Sequence, residues 1–193
     1  MPERLNIGFA LTGSFCTLDK SVMQIKKLKN QGNNILPIMS YNCANTDTRF
    51  GKAADFINRI EEITGNGVIK TLTAAEPIGP KNLADVMVVL PCTATTLSKL
   101  KNGIYDNPVT LAVKSHLRNK KPVVIGVSTN DALSLTAKNI GELMNFKHFY
   151  FIPLCQDNPE SKPFSVVCDF ERLSETIDAA MNGIQLQPML IQK

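Results

Sequence analysis

The sequence predicts an α/β fold in three layers, a parallel sheet with helices on both faces. Three observations predict it. Short apolar runs alternate with amphipathic stretches of helical period, the run Val86, Met87, Val88, Val89, Leu90 shows no polar alternation, and small hydroxyl residues follow the strand ends. Alternating strands and helices favour parallel strands joined by right-handed crossovers. A run that is apolar at every position suits a strand covered on both faces.

Residues 5–11 form the first expected strand, followed by the turn Thr12, Gly13, Ser14. A helix is expected over residues 18–29, where Val22, Ile25 and Leu28 recur at helical spacing. Residues 34–39 read as the next strand, ending at Ser40. Residues 48–63 read as a helix with Phe56, Ile57 and Ile60 inward and Gly65 as its stop. A short strand around Val68 and Ile69 leads through Glu76, Pro77, Ile78, Gly79 and Pro80 to the buried strand 86–90. The segment 91–107 then reads as a ligand loop. Pro108 opens a helix running to about Arg118, residues 122–127 form the fifth strand, and Ser128, Thr129 and Asn130 end it. A helix over 133–144, a strand over 149–152 and a helix over 172–181 complete the pattern. Neither repeats nor a linker composition divide the chain, so residues 1–193 are expected to form a single domain.

At 44% hydrophobic and 20% charged residues, the 193-residue chain has enough apolar surface for a sizeable core, which excludes disordered, collagenous and coiled-coil classes. No apolar run approaches the ~18–20 residues that span a bilayer. Met1, Pro2, Glu3 and Arg4 enter a strand-like run without a signal-peptide core, so a cytoplasmic location is expected. Twenty-one basic against 17 acidic residues give +4, and the cations are dispersed. That argues against nucleic acid and suits small anionic ligands. The five cysteines lack a CxxC pair, which supports neither a disulfide framework nor a metal site. Cys92 is expected to be a small buried thiol, His116 to lie on a helix surface and His148 in a loop before a strand, none of them catalytic.

Ligands of open parallel sheets collect beyond the carboxyl ends of the strands. Thr12, Gly13 and Ser14, then Ser40, residues 91–96, and Ser128 to Asn130 all follow strand ends and so share one crevice. Gly13 permits close backbone approach, and Ser14 and Ser40 offer hydroxyls. Thr93, Ala94, Thr95 and Thr96 begin a helix, whose first N–H groups favour a phosphate or carboxylate. Each also has a plainer role, as strand breaker, helix cap or, for Asn130, an Asx turn. Neither GxGxxG nor GxxxxGK[ST] occurs, which leaves a mononucleotide or another phosphorylated ligand. Arg49, Lys52, Lys81 and Lys162 are candidate carboxylate partners. Asp157, Asn158 and Lys162 lie in a Pro-bounded polar segment that is either a lid or intersubunit clamp, or a solvated loop. No residue is singled out as catalytic.

Thr12-Gly13-Ser14, Ser40, the segment 91–107 and Ser128-Thr129-Asn130 resemble the signature regions of the homo-oligomeric flavin-containing cysteine decarboxylase superfamily over most of residues 5–145. That resemblance implies a Rossmann-like or flavodoxin-like fold and FMN held at a subunit interface by Gly13, Ser14, Ser40, Thr93, Ala94, Thr95, Thr96, Ser128 and Asn130. Glu76 to Lys81, Ser128 to Leu133, Gln156 to Pro163 and Gln185 to Pro188 are similar, within the superfamily, to the family of bacterial dipicolinate synthase B subunits. This implies oxidation of a dihydrodipicolinate-level precursor to dipicolinate in the mother cell during sporulation, together with an A subunit that binds NAD(P). The dicarboxylate would be held by Arg49, Lys81, Asn158 and Lys162. Three departures stand out. Superfamily decarboxylases carry a catalytic His between the second helix and the fourth strand, where this chain has none. Thr95 replaces the Asn of the Pro-Ala-Thr-Ala-Asn-Thr loop, and of the Pro-x-Met-Asn motif only Asn130 is kept. An FMN-dependent decarboxylase of the phosphopantothenoylcysteine type, or a non-catalytic subunit without FMN, are the rival expectations.

Overall fold

The structure is a computed structural model that describes residues 4–192; Met1, Pro2, Glu3 and Lys193 lie outside it. Strand β1 (Asn6–Leu11) is buried from Ile7 onward, and helix α1 (Leu18–Asn30) turns Leu18, Val22, Ile25 and Leu28 inward. Strand β2 (Asn34–Met39) is followed by the short helix α2 (Tyr41–Asn45), and α3 (Ala53–Thr64) ends on Gly65 at φ 71°. That left-handed residue closes the helix as a glycine can. Helix α4 (Leu72–Ala75) precedes β3 (Val86–Cys92), all seven of whose residues are buried. Helices α5 (Ala94–Lys101) and α6 (Pro108–Leu117) lead to β4 (Val123–Thr129). Helix α7 (Ala137–Leu143), β5 (Phe149–Phe151), the strands β6 (Leu154–Asn158) and β7 (Lys162–Val167), α8 (Leu173–Met181) and β8 (Leu190–Ile191) follow.

Strands β2, β1, β3, β4 and β5 lie side by side in that order, all parallel. This is the flavodoxin-like order, in which the chain's direction of winding reverses between β1 and β3. Alternate side chains of each strand serve opposite faces. On one face Ile7, Phe9 and Leu11 pack with Ile25 of α1, Ile60 of α3 and Ile177 of α8. On the other, Ala10, Met87, Val89 and Ile125 pack with Leu97 of α5 and Val109 and Val113 of α6. No described helix is long and apolar enough to cross a membrane.

The far edge of β4 is divided between two neighbours. Its first half, Val123 to Ile125, pairs with β5, whereas Ser128 and Thr129 pair antiparallel with Val167 and Val166 of β7. Strands β6 and β7 form a hairpin, to which β8 adds in parallel. The segment expected to be a lid or intersubunit clamp, or a solvated loop, is a hairpin that extends the sheet past its carboxyl edge. Polarity and prolines hide these strands in the sequence.

Other expectations are corrected. The helix expected from residue 48 begins at Ala53, because Thr48 and Gly51 exchange backbone hydrogen bonds in a tight turn, Gly51 has φ 143°, and Asp47 Oδ1 accepts Ala53 N–H at 2.9 Å. The helix expected from 133 begins at Ala137, since the Asp131 carboxylate accepts both the Thr129 and Thr136 hydroxyls at 2.7 Å and holds the intervening residues in turns. Residues 68–69 form only a bridge, Ile69 to Ile38. His116 is not on a helix surface: it is fully buried, with Nε2 3.0 Å from the Pro122 carbonyl oxygen.

Candidate functional site

The carboxyl ends of β1, β2, β3 and β4 meet at two adjoining cavities. The smaller, about 240 Å³, is lined by Thr12, Gly13, Ser40, Thr95, Thr96 and Lys99, among others. The larger, about 560 Å³, is lined by Ser14, Cys16, Arg49, Ser128, Asn130, Asp157 and Lys162, among others. Gly13, Phe15 and Thr93 belong to both walls. This is the point where the winding reverses, and there two loops diverge and leave a crevice.

Hydroxyl groups tie these loops together. Buried Thr12 donates from Oγ1 to the Pro91 carbonyl at 2.7 Å and accepts Thr93 N–H at 3.1 Å, locking the end of β1 to the end of β3. Ser14 Oγ lies 2.9 Å from Ser128 Oγ, and Thr17 Oγ1 lies 3.2 Å from the same Ser128 oxygen while donating to the Ser14 carbonyl at 2.9 Å. The β1 loop is thereby fastened to the end of β4 as well. These locking roles of Thr12 and Thr17 are not legible in sequence, because their partners Pro91 and Ser128 lie 79 and 111 positions away.

The smaller cavity has the chemistry of an anion site. Thr93 opens α5 without a side-chain cap; its hydroxyl is engaged by Thr96 Oγ1 at 3.1 Å instead. The first N–H groups of α5 thus keep their donor capacity beside the hydroxyls of Thr95 and Thr96. Ser40 caps α2, accepting Cys43 N–H at 3.3 Å. Lys99 holds both Asp106 oxygens at 2.8 Å, and that contact keeps the Asp106 carboxyl below the usual carboxylate range. The far end of the segment 91–107 therefore folds back to close the cavity, with Asn107 capping α6 behind it.

The larger cavity carries separated charges. The turn at residues 48–51 presents Arg49, whose guanidinium carbon sits 4.9 Å over the Phe50 ring. On the hairpin, Lys162 Nζ is 2.8 Å from Asp157 Oδ2, and this partner raises the Lys162 ammonium above its ordinary value. Ser165 Oγ donates to the same Asp157 oxygen at 3.4 Å. Exposed Asn130 stands at the rim.

Of the residues singled out in sequence, the structure brings Gly13, Ser14, Ser40, Thr93, Thr95, Thr96, Ser128, Asn130, Arg49 and Lys162 around the two cavities. Ala94 is the first residue of α5 but does not line them. Lys81 is not brought there: its N–H bonds the Pro77 carbonyl just ahead of β3, at the amino edge of the sheet. Asn158 is occupied in the hairpin turn, accepting Ser161 N–H at 2.9 Å. Lys52 precedes α3 and lines neither cavity. Burial pushes the Cys43 thiol up to about 12 and Cys92 higher, which keeps both protonated. Among the described residues, no cluster of His, Cys, Asp and Glu is placed to hold a metal.

A five-stranded parallel sheet in the order 2-1-3-4-5, with a hydroxyl-lined cavity at its winding reversal, defines a flavodoxin-like α/β protein. Residues 1–185 match the flavoprotein family, and the chain belongs to it. It is 45% identical over 186 residues to the B subunit of dipicolinate synthase of Bacillus subtilis (strain 168), covering 96% of this chain and 93% of that one. The crystal structure of the dipicolinate synthase B subunit from Bacillus halodurans is 46% identical, with a TM-score of 0.90 over 98% of this chain and 97% of the other. DmrB of Burkholderia xenovorans, crystallised with FMN, shares the fold at 14% identity, with a TM-score of 0.70 over 94% of this chain and 98% of that one.

Proposed function

We propose that this chain is the flavin- and dicarboxylate-binding B subunit of a dipicolinate synthase. In this role it works with an A subunit that binds NAD(P) and contributes to oxidising dihydrodipicolinate to dipicolinate in the mother cell of a sporulating bacterium. The observation that carries the reading is the pairing of cavities: an anion site on the first turn of α5 opens beside a chamber bearing Arg49 and Lys162. The similarity to two dipicolinate synthase B subunits supplies the substrate class.

The residues present fit FMN. Its phosphate matches the uncapped start of α5, the hydroxyls of Thr95 and Thr96, and Gly13, where an added Cβ would meet nothing nearer than 3.6 Å. Ser40 lines the same cavity. Ser14, Ser128 and Asn130 would face the remainder of the cofactor, which when bound supplies two-electron redox chemistry. In the larger cavity, Arg49 and Lys162 would grip the carboxylates and orient a ring between them, so the gain comes from positioning and charge. Both histidines lie away from the cavities, His116 buried against Pro122 and His148 just before β5, so neither serves the decarboxylase role. Like its superfamily, the protein would act as a homo-oligomer.

The test is the rate of dipicolinate formation from a dihydrodipicolinate precursor with NADP, comparing this chain, a candidate A subunit and their mixture, each with and without FMN. Formation by the mixture alone is expected, with a dependence on FMN. Full activity of this chain alone, or no synergy, would overturn the two-component reading. Synergy without any FMN dependence or FMN binding would make the chain a flavin-free subunit.

A further inference from the structure

Resting on the dicarboxylate reading above, we propose that Asp157 accepts the ring proton when a dihydropyridine dicarboxylate is aromatised in the larger cavity. Aromatisation removes hydrogen from two adjacent ring carbons. At one carbon the C–H pair leaves with its hydrogen as hydride, to a two-electron acceptor of the flavin or nicotinamide class. At the neighbouring carbon the proton goes to Asp157, and the electron pair left behind becomes the new C=C bond. The carboxylate becomes a carboxylic acid and later returns its proton to solvent. The reaction therefore needs a base as well as an oxidant.

The lining of the cavity narrows the choice. Among its described residues Asp157 is the one carboxylate, and no histidine lines it. The arrangement around Asp157 suits a base. Lys162 Nζ at 2.8 Å and Ser165 Oγ at 3.4 Å both contact Oδ2, so one carboxylate oxygen is held and Oδ1 keeps its lone pairs uncommitted to the described residues. The side chain retains 31% exposure, enough for a ligand to reach it. Strand pairing fixes the carboxylate relative to the rest of the site: β6 pairs with β7, and Val166 and Val167 of β7 pair with Thr129 and Ser128 of β4. A carboxylate anchored through one oxygen beside Lys162, in a cavity that Arg49 also lines, is thus set to meet a ring whose acid groups those cations hold. Cys16, a thiol that also lines the cavity, is the rival proton acceptor that the test must separate from Asp157.

Three measurements on the full chain test this. Pyridine-2,6-dicarboxylate binding is measured by calorimetry, exchange of ring C–H hydrogen of the dihydropyridine dicarboxylate into D2O by NMR, and turnover in the presence of the partner subunit and FMN. Asp157→Asn is expected to bind the pyridine dicarboxylate at least as tightly as the wild type, because a negative charge beside a dianion is removed. The same variant should lose ~10²–10⁴-fold in exchange and turnover, the usual contribution of a positioned base. Asp157→Glu should restore part of the exchange, and Cys16→Ser should leave it intact. If Asp157→Asn binds, exchanges and turns over like the wild type, or if Cys16→Ser abolishes turnover, Asp157 is not the acceptor while the dicarboxylate reading stands. If Asp157→Asn loses binding as Lys162→Gln does, Asp157 only positions Lys162. Failure of the wild type to bind pyridine-2,6-dicarboxylate removes the reading and the proposal together.

Discussion

His116 illustrates how a single residue's environment sets a measurable property. Its imidazole is fully buried near Lys121 and Asp85, with Nε2 on the Pro122 carbonyl and Nδ1 without a partner. Desolvation, only partly offset by the bond to Pro122, pushes it down to about 4. Between pH 6.5 and 4 the unfolded chain binds a proton that the folded chain refuses, so stability is full above the ordinary histidine value and falls as the pH drops through this window. The shift corresponds to about 3 kcal/mol at pH 4. Urea unfolding of the wild type and His116→Leu at about pH 7 and about pH 4.5, either side of the ordinary histidine value, should show a larger acid-induced loss in the wild type; equal losses would contradict the burial argument. Charge at the larger cavity works through shorter distances: Asp157 keeps Lys162 protonated, and Arg49 is steadied by the Phe50 ring.

At the scale of elements, the connection between α4 and β3 is held against α6 by close backbone approach. Ser115 Oγ accepts Gly79 N–H at 3.0 Å and donates to the Glu76 carbonyl at 2.7 Å, and Asn119 Nδ2 donates to the Gly79 carbonyl at 2.9 Å. A Cβ at Gly79 would collide with the Ser115 carbonyl oxygen, a backbone atom that cannot swing aside. Gly79→Ala is therefore expected to destabilise the fold by about 2–3 kcal/mol, read from the denaturation midpoint, without altering FMN affinity in the folded protein. An unchanged midpoint would mean that α6 shifts freely. The β6–β7 hairpin matters in the opposite way: it adds little core but carries Asp157, Lys162 and Ser165 to the cavity.

For the whole molecule, we propose that the parallel sheet and the appended hairpin form one domain. The two cores share the same strands, so neither face of the sheet can melt alone. Calorimetry should show a single cooperative transition with equal van't Hoff and calorimetric enthalpies once any subunit dissociation is allowed for; two resolved transitions would divide the chain. Saturating FMN should raise the midpoint, since a ligand bound only by the folded state stabilises it by mass action. Leu133, Leu135 and Phe164 are exposed, and Leu133 N–H donates to the Phe164 carbonyl, tying the segment before α7 to the hairpin.

By itself the sequence determined the alternating fold, the strand edge where the two cavities open and most of the hydroxyl residues that line them. Those signals are local: apolar runs such as Val86 to Leu90, and small-residue turns after the strands ending near Leu11, Met39, Leu90 and Val127. Tertiary structure alone decided the rest. Arg49 needed the turn closed by Gly51, and Lys162 needed a hairpin whose polar sequence reads as loop. Lys81 looked equivalent to them in charge, yet falls at the amino edge because it precedes a strand rather than following one. His116 was unreadable for the same reason, since burial depends on what packs from elsewhere in the chain. Hydroxyl bonds such as Ser14 to Ser128 join residues 114 positions apart, and no local pattern encodes a partner at that distance.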